Sequence, residues 1–331
     1  MIKKILASRW FVPVITIVLI SAFGLFFWLG YSVDLYVDSL SKEQPTELHE
    51  RGYRFISPLL ECQSSASNNR EISQLREGLN ETVNSAIDNK VVSHVSIYFR
   101  DLNNGPWIGV NQNEKFSPAS LMKVPIMISY LKLAELNHNL LNSKLKVTMS
   151  PVDAMSQNIL PSEVIISGQE YTVEELIRRM IRYSDNLAAN TLLQYGDLNL
   201  LDKTYEDLGV SVPEESEENF LSVRDYASFF RILYNSSYLN REMSELALQI
   251  LSTAEYSEGI VAGVPSYITV AHKFGERRIE SSLQLHDCGI VYRSDSPYLL
   301  CIMTRGNDFD KMKNVISDLS KQVFSFYKLN K

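Results

Sequence analysis

Ser117-Pro118-Ala119-Ser120-Leu121-Met122-Lys123-Val124-Pro125 is a turn-like segment that runs into a long apolar stretch. Leu121 to Leu133 is almost wholly apolar, which predicts a buried helix with Ser120 at its start. Residues three apart lie on one helical face, so Ser120 and Lys123 point the same way. A serine hydroxyl is a poor nucleophile without a base beside it. A lysine becomes that base when burial lowers its pKa. Backbone N–H groups at a helix start also lie where an oxyanion can be stabilised. The spacing S-x-x-K occurs five times, from Ser39, Ser120, Ser129, Ser143 and Ser325, but only Ser120 stands at a helix start.

Outward from this stretch, the pattern is globular from about residue 68. Ile72, Leu75, Leu79 and Val83 recur at helical spacing, while Val95, Ile97 and Phe99 alternate as in a strand. Asn103-Asn104-Gly105 is a hairpin-type turn, returning through a strand at Trp107 to Val110. Thr172-Val173-Glu174-Glu175 is a capping box opening a helix, and Leu187 to Tyr195 makes another. Leu198 to Leu208 stops at Gly209, and Ser222 starts a further helix. Strands return at about 268–276, 281–292 and 297–304, and Phe309 to Val323 closes with an amphipathic helix. This order predicts an α/β (α+β) fold: an antiparallel sheet built from both chain ends, flanked by helices, with an all-α subdomain inserted. The expected parts are a sheet subdomain, 68–120 and 265–331, and a helical subdomain, 121–264.

Two further motifs carry chemistry. Ser184-Asp185-Asn186 falls between two helices, where it reads either as a helix cap or as a loop presenting a hydroxyl and an amide. Lys273-Phe274-Gly275 falls on a late strand; it reads either as an exposed lysine before a turn or as a site where Gly275 lets a substrate backbone approach. The order S-x-x-K, S-D-N, K-x-G on helix start, interhelical loop and strand resembles that of class A β-lactamases and penicillin-binding proteins. Tyr183 to Asn190 and Gly259 to Pro265 are similar to further stretches of that family, and the resemblance covers residues 68–331. It implies a β-lactamase-like fold and Ser120 as acylated nucleophile with Lys123 as base. Ser184 would relay a proton to the departing nitrogen, Asn186 would hold the substrate amide, and Lys273 would supply charge for a substrate carboxylate. The N–H groups of Ser120 and Glu276 would form the oxyanion hole, with Gly275 between Phe274 and Glu276 on the substrate-binding strand.

Two departures from the family bear on function. Phe274 stands where the family has a Thr or Ser hydroxyl that grips the substrate carboxylate. The loop that carries the family's deacylation base in E-x-x-x-N is short: Glu215-Ser216-Glu217-Glu218-Asn219 fits the pattern, but the next helix begins at Ser222. Glu215 is thus a candidate base, and the same acidic run also reads as a solvated loop.

The N-terminus is of another kind. Trp10 to Tyr31 carries no charge, is long enough for a bilayer span, and follows Lys3, Lys4 and Arg9. This predicts a cytoplasmic segment 1–9, a transmembrane helix 10–31, a spacer 32–67 whose 53–62 stretch docks on the domain, and an extracytoplasmic catalytic domain. A net charge of −7 offers nucleic acid no footprint. The five histidines show no metal-ligand spacing, so no metal or cofactor is expected. Cys288 and Cys301 are expected opposite each other across a hairpin, as two buried thiols. Three readings follow: an acyl-serine hydrolase of β-lactams, a D,D-peptidase or transpeptidase on cell-wall peptides, or a tethered wall-binding module without catalysis.

Overall fold

The computed structural model describes residues 47–62, 70–103, 105–149, 157–196, 198–210, 218–279, 282–294 and 296–329, with Ser21, Gly24 and Trp28 besides. The expected anchor and its flanks otherwise lie outside the described residues, as do Asn104 and Glu215. No helix among the described residues is long and apolar enough to cross a membrane. Residues 45–331 form one compact unit.

Along this unit the strands are β1 (Glu47–His49), β2 (Leu59–Cys62), β3 (His94–Asp101), β4 (Trp107–Val110), β5 (Lys115–Phe116), β6 (Lys144–Lys146), β7 (Glu170–Thr172), β8 (Leu221–Ser222), β9 (Thr269–Ile279), β10 (Ser282–Tyr292) and β11 (Tyr298–Gly306). The helices are α1 (Arg70–Asp88), α2 (Lys123–Leu136), α3 (Val173–Arg182), α4 (Asn186–Tyr195), α5 (Leu198–Asp207), α6 (Val223–Tyr234), α7 (Arg241–Leu251) and α8 (Phe309–Leu329).

The main sheet has the order β4-β3-β11-β10-β9, all antiparallel, so strands from both chain ends interleave and β9 lies at an edge. Period-two alternation divides its side chains between two cores. Ile97, Phe99, Leu300 and Ile302 pack with Leu79 of α1 and Ile316 of α8. Tyr98, Leu299, Cys301 and Ile290 pack with the helical block, through Met127, Leu176, Phe229 and Leu248. The predicted caps form: Thr172 Oγ1 accepts from Glu175 N and Ser222 Oγ from Asp225 N. Gly209 takes the left-handed conformation that ends α5.

Two expectations are corrected. Ser120 does not open an α-helix: Ala119–Met122 form a 3₁₀ turn and α2 begins at Lys123. Cys288 and Cys301 do face each other, but they are joined as a disulfide rather than standing as two thiols. The 53–62 stretch of the spacer does dock on the unit: Phe55 and Ile56 are buried, and Glu245 accepts from the N–H groups of Arg54, Phe55 and Ile56.

Candidate active site

Ser120 sits on its turn between the helical block and the edge of the sheet. The turn is held from three directions. Gln284 Oε1 accepts from Ser117 N at 3.0 Å, and His286 Nε2 is 2.9 Å from Ser117 O, both from β10 beneath it. Tyr226 Oη of α6 donates to Leu121 O at 3.0 Å. On the third side β9 crosses so close that a Cβ on Gly275 would lie 2.7 Å from Pro118 O and 3.0 Å from Leu121 N. Glycine at this position therefore serves contact with the turn that carries Ser120; the face expected to admit a substrate backbone is already covered. Ala119, immediately before the serine, takes φ +49°, and Ser184 takes φ +56°. Left-handed backbone at non-glycine residues stores strain and concentrates at functional sites.

Lys123 projects from the first turn of α2 into the space between these elements and is 4% exposed. Its Nζ lies 3.1 Å from Ser120 Oγ, 3.1 Å from Ser184 Oγ, 2.6 Å from Ser184 O and 2.7 Å from Asn186 Oδ1. Burial drives its pKa down to about 7, against the pull of the Asp185 and Glu276 charges. Ser184 is in turn shared with a second lysine: Lys273 Nζ of β9 donates to Ser184 Oγ at 3.0 Å and to Phe274 O at 2.9 Å. Lys273 is fully buried, and burial together with the neighbouring Lys123 charge holds its pKa well below the usual lysine range. A charge on Lys123 thus disfavours a second charge on Lys273 across the shared hydroxyl.

The loop that presents Ser184 and Asn186 is fixed by Asp185. One carboxylate oxygen caps α4 by accepting from Leu187 N and Ala188 N, and the other accepts from Ile165 N. Both readings of this motif therefore hold at once, cap and presenting loop. Glu276 lies at the outer end of β9, where its carboxylate accepts from Asn158 N, Asn158 Nδ2 and Ile159 N. Gln157 Nε2 donates to Ser184 O at 2.9 Å, so residues 157–159 bridge from Ser184 to Glu276. Arg277 pairs with Glu218, and Gln284 Nε2 donates to Asn219 Oδ1.

The structure thus brings Ser120, Lys123, Ser184, Asn186, Lys273 and Gly275 together, with Glu276 at the rim. The other serines of the S-x-x-K spacing among the described residues do not join them; Ser39 lies outside those residues. Ser129 is buried within α2 against Thr204, Ser143 bonds Asn139 O in a loop, and Ser325 is exposed on α8. His272 pairs with Asp287 in the sheet interior as a neighbour of the site. Gln157, Gln284, His286 and Tyr226 carried no motif. The only sequence signal for the β10 pair was polar side chains within an otherwise apolar strand. Among the described residues no group of His, Cys, Asp and Glu could hold a metal ion.

The family model described as the beta-lactamase enzyme family matches residues 77–327, and the chain belongs to that family. A β-lactamase of Citrobacter koseri is 20% identical over 205 residues, 57% of this chain and 67% of that protein. A β-lactamase of Klebsiella oxytoca is 23% identical over 178 residues, 49% of this chain and 60% of its own. The chain thus spans about two thirds of the length of such relatives or less. Among solved structures, an acyl-enzyme complex of PBP-A with penicillin G superposes with a TM-score of 0.65 at 20% identity, covering 78% of this chain and 97% of that one. A class A β-lactamase of Mycobacterium abscessus gives 0.63 at 21% identity, covering 76% and 99%. These likenesses show a β-lactamase-like fold.

Proposed function

We propose that this chain is an acyl-serine enzyme in which a β-lactam, or another activated amide, acylates Ser120. The observation that carries the reading is the 3.1 Å contact of Lys123 Nζ with Ser120 Oγ, in surroundings that bring the lysine pKa to about 7. The unprotonated amine takes the Ser120 proton as Oγ attacks the carbonyl carbon. The C–N bond then breaks. The departing nitrogen takes a proton from Ser184 Oγ, which Lys123 Nζ, 3.1 Å away, replaces. The N–H groups of Ser120 and Glu276 receive the oxyanion. Asn186 holds the substrate amide, and Lys273 tunes Ser184.

Deacylation needs a base that activates water. Asp185 is committed to capping and Glu276 to the 157–159 segment, and we assign Glu215 no efficient role, because its loop is short. A base of this kind is worth about 10²- to 10⁴-fold in rate. The enzyme therefore acylates quickly and releases slowly. Peptide acyl transfer is the second reading, favoured by the short acidic loop before Ser222, which offers no efficient deacylation base.

We also place the catalytic unit outside the cytoplasm, anchored by residues 10–31. The basic residues before that stretch support this, and so does the Cys288–Cys301 disulfide, since such bonds persist in oxidising compartments. Protease added to spheroplasts is expected to digest the unit; protection overturns the topology. The catalytic reading is tested by labelling the full-length chain with a fluorescent penicillin. Ser120→Ala abolishes labelling and Ser129→Ala retains it; labelling that survives Ser120→Ala refutes the assignment.

A further inference from the structure

The rim of the cleft formed by β9 carries the wrong chemistry for a substrate that ends in a carboxylate. Lys273 is 0% exposed, and its Nζ lies 4.1 Å from the centroid of the Phe274 ring. That ring is itself stacked on Tyr256 at 4.1 Å with an interplanar angle of 22°. The nearest lysine is thus fully buried beside an aromatic ring, with no face open to an anion.

Strand β10 supplies no replacement. Opposite Lys273, Phe274, Gly275 and Glu276 stand Cys288, Asp287, His286 and Leu285. His286 is held neutral by burial, with its pKa driven down to about 4. Asp287 is a fully buried carboxylate that accepts from Ile260 N and pairs with His272.

What the rim does present is the carboxylate of Glu276. It shares a strand face with Phe274, two residues away. The 157–159 segment holds it beside the space that Ser184 borders. Its charge is felt at Lys123 within the site. Of the nearby cations, Arg277 is engaged by Glu218, and Arg278 lies two residues further out on exposed strand.

We infer that the acyl donor of this enzyme presents a neutral or cationic group to the Phe274–Glu276 edge, as a peptide continuing beyond the scissile amide does, and not a free terminal carboxylate. The inference rests on the acyl-serine reading and names its substrate class. A second carboxylate brought beside Glu276 meets like-charge repulsion on the order of tenfold in rate even when water screens most of it. Phe274, buried against Tyr256, contributes no hydroxyl or charge with which a carboxylate could bond. Discrimination then comes from a repulsive element aimed at the wrong substrate as much as from contacts to the right one.

The test uses two thioester acyl donors with the same acyl part, whose leaving groups end in a carboxylate or in the matching carboxamide. The second-order rate constant for acylation of Ser120 is measured on the full-length chain, with the adduct located by mass spectrometry. The carboxamide donor is expected to react at least tenfold faster. Glu276→Gln, which keeps the backbone N–H, is expected to shrink that ratio at least threefold, mainly by speeding the carboxylate donor. Phe274→Thr shrinks it further. A carboxylate donor that reacts equally fast or faster overturns the inference. So does a ratio that Glu276→Gln leaves unmoved, or a carboxylate rate that depends on Arg278 and falls in Arg278→Ala. Failure of both donors to acylate Ser120 overturns the acyl-serine reading itself, and the inference with it.

Discussion

Lys123 is the residue on which the proposed chemistry turns, and its behaviour follows from where α2 puts it. A lysine 4% exposed, with four oxygens within 3.1 Å, has hydrogen bonds for either protonation state, but burial penalises the charged one. With a pKa of about 7 it is the charged form that dominates in acid, so the base is lost as pH falls. The acylation rate constant is therefore expected to drop about tenfold per pH unit below 7 and to level off above it, in stopped-flow measurements with a single donor. A profile flat from pH 5 to 8 contradicts Lys123 as base. Gly275 makes a second residue-scale case. The added methyl of Gly275→Ala meets Pro118 O and Leu121 N, both backbone atoms of the nucleophile's turn. Overpacking of this kind costs about 1–3 kcal/mol. The variant is expected to lose acylation at least tenfold while still melting cooperatively. These residues were legible in the sequence because three short motifs fell in order. The reason for Gly275 was not, since it depends on a turn more than 150 positions away in the chain.

At the scale of elements, β10 acts as the floor of the site. Gln284 bonds Ser117 on one side and Asn219 on the other, so one amide ties the nucleophile's turn to the end of the short acidic loop. His286 supports the same turn from a fully buried position. Its folded-state pKa of about 4 lies below its ordinary value, so the unfolded chain binds the extra proton. Stability is therefore complete above pH 6.5 and is lost as pH falls toward 4, by about 3 kcal/mol over that window. Urea unfolding at several pH values is expected to show this slope, flattened in His286→Gln. Neither role was readable in advance. Alternation and caps gave β3, β4, α3, α6 and the closing strands nearly to the residue. Side chains that bridge strands to a distant turn have no local signature. The 3₁₀ turn at Ser120 was likewise missed, because an apolar run marks a buried helix but not the turn type at its start. Helix α7 was not singled out at all.

At the scale of the whole unit, Ser120 lies between two halves, each with its own apolar core. The helical block is an apolar core, and the sheet is built from both chain ends, joined across β10 and β11 by the Cys288–Cys301 bond. A disulfide closing a loop of this length contributes about 3 kcal/mol through the unfolded state. Thermal melts are expected to fall by several degrees under reductant, and in Cys301→Ala to match that fall with or without it. The central claim is that Ser120 forms the acyl-enzyme, and intact-mass spectrometry of the full-length chain tests it most directly. Minutes after mixing with excess penicillin, whose free carboxylate slows acylation about tenfold without preventing it, the account predicts one added acyl group per chain, mapped to the peptide containing Ser120. The adduct should decay slowly and be absent from Ser120→Ala. An unmodified chain, or an adduct that persists in Ser120→Ala, contradicts it.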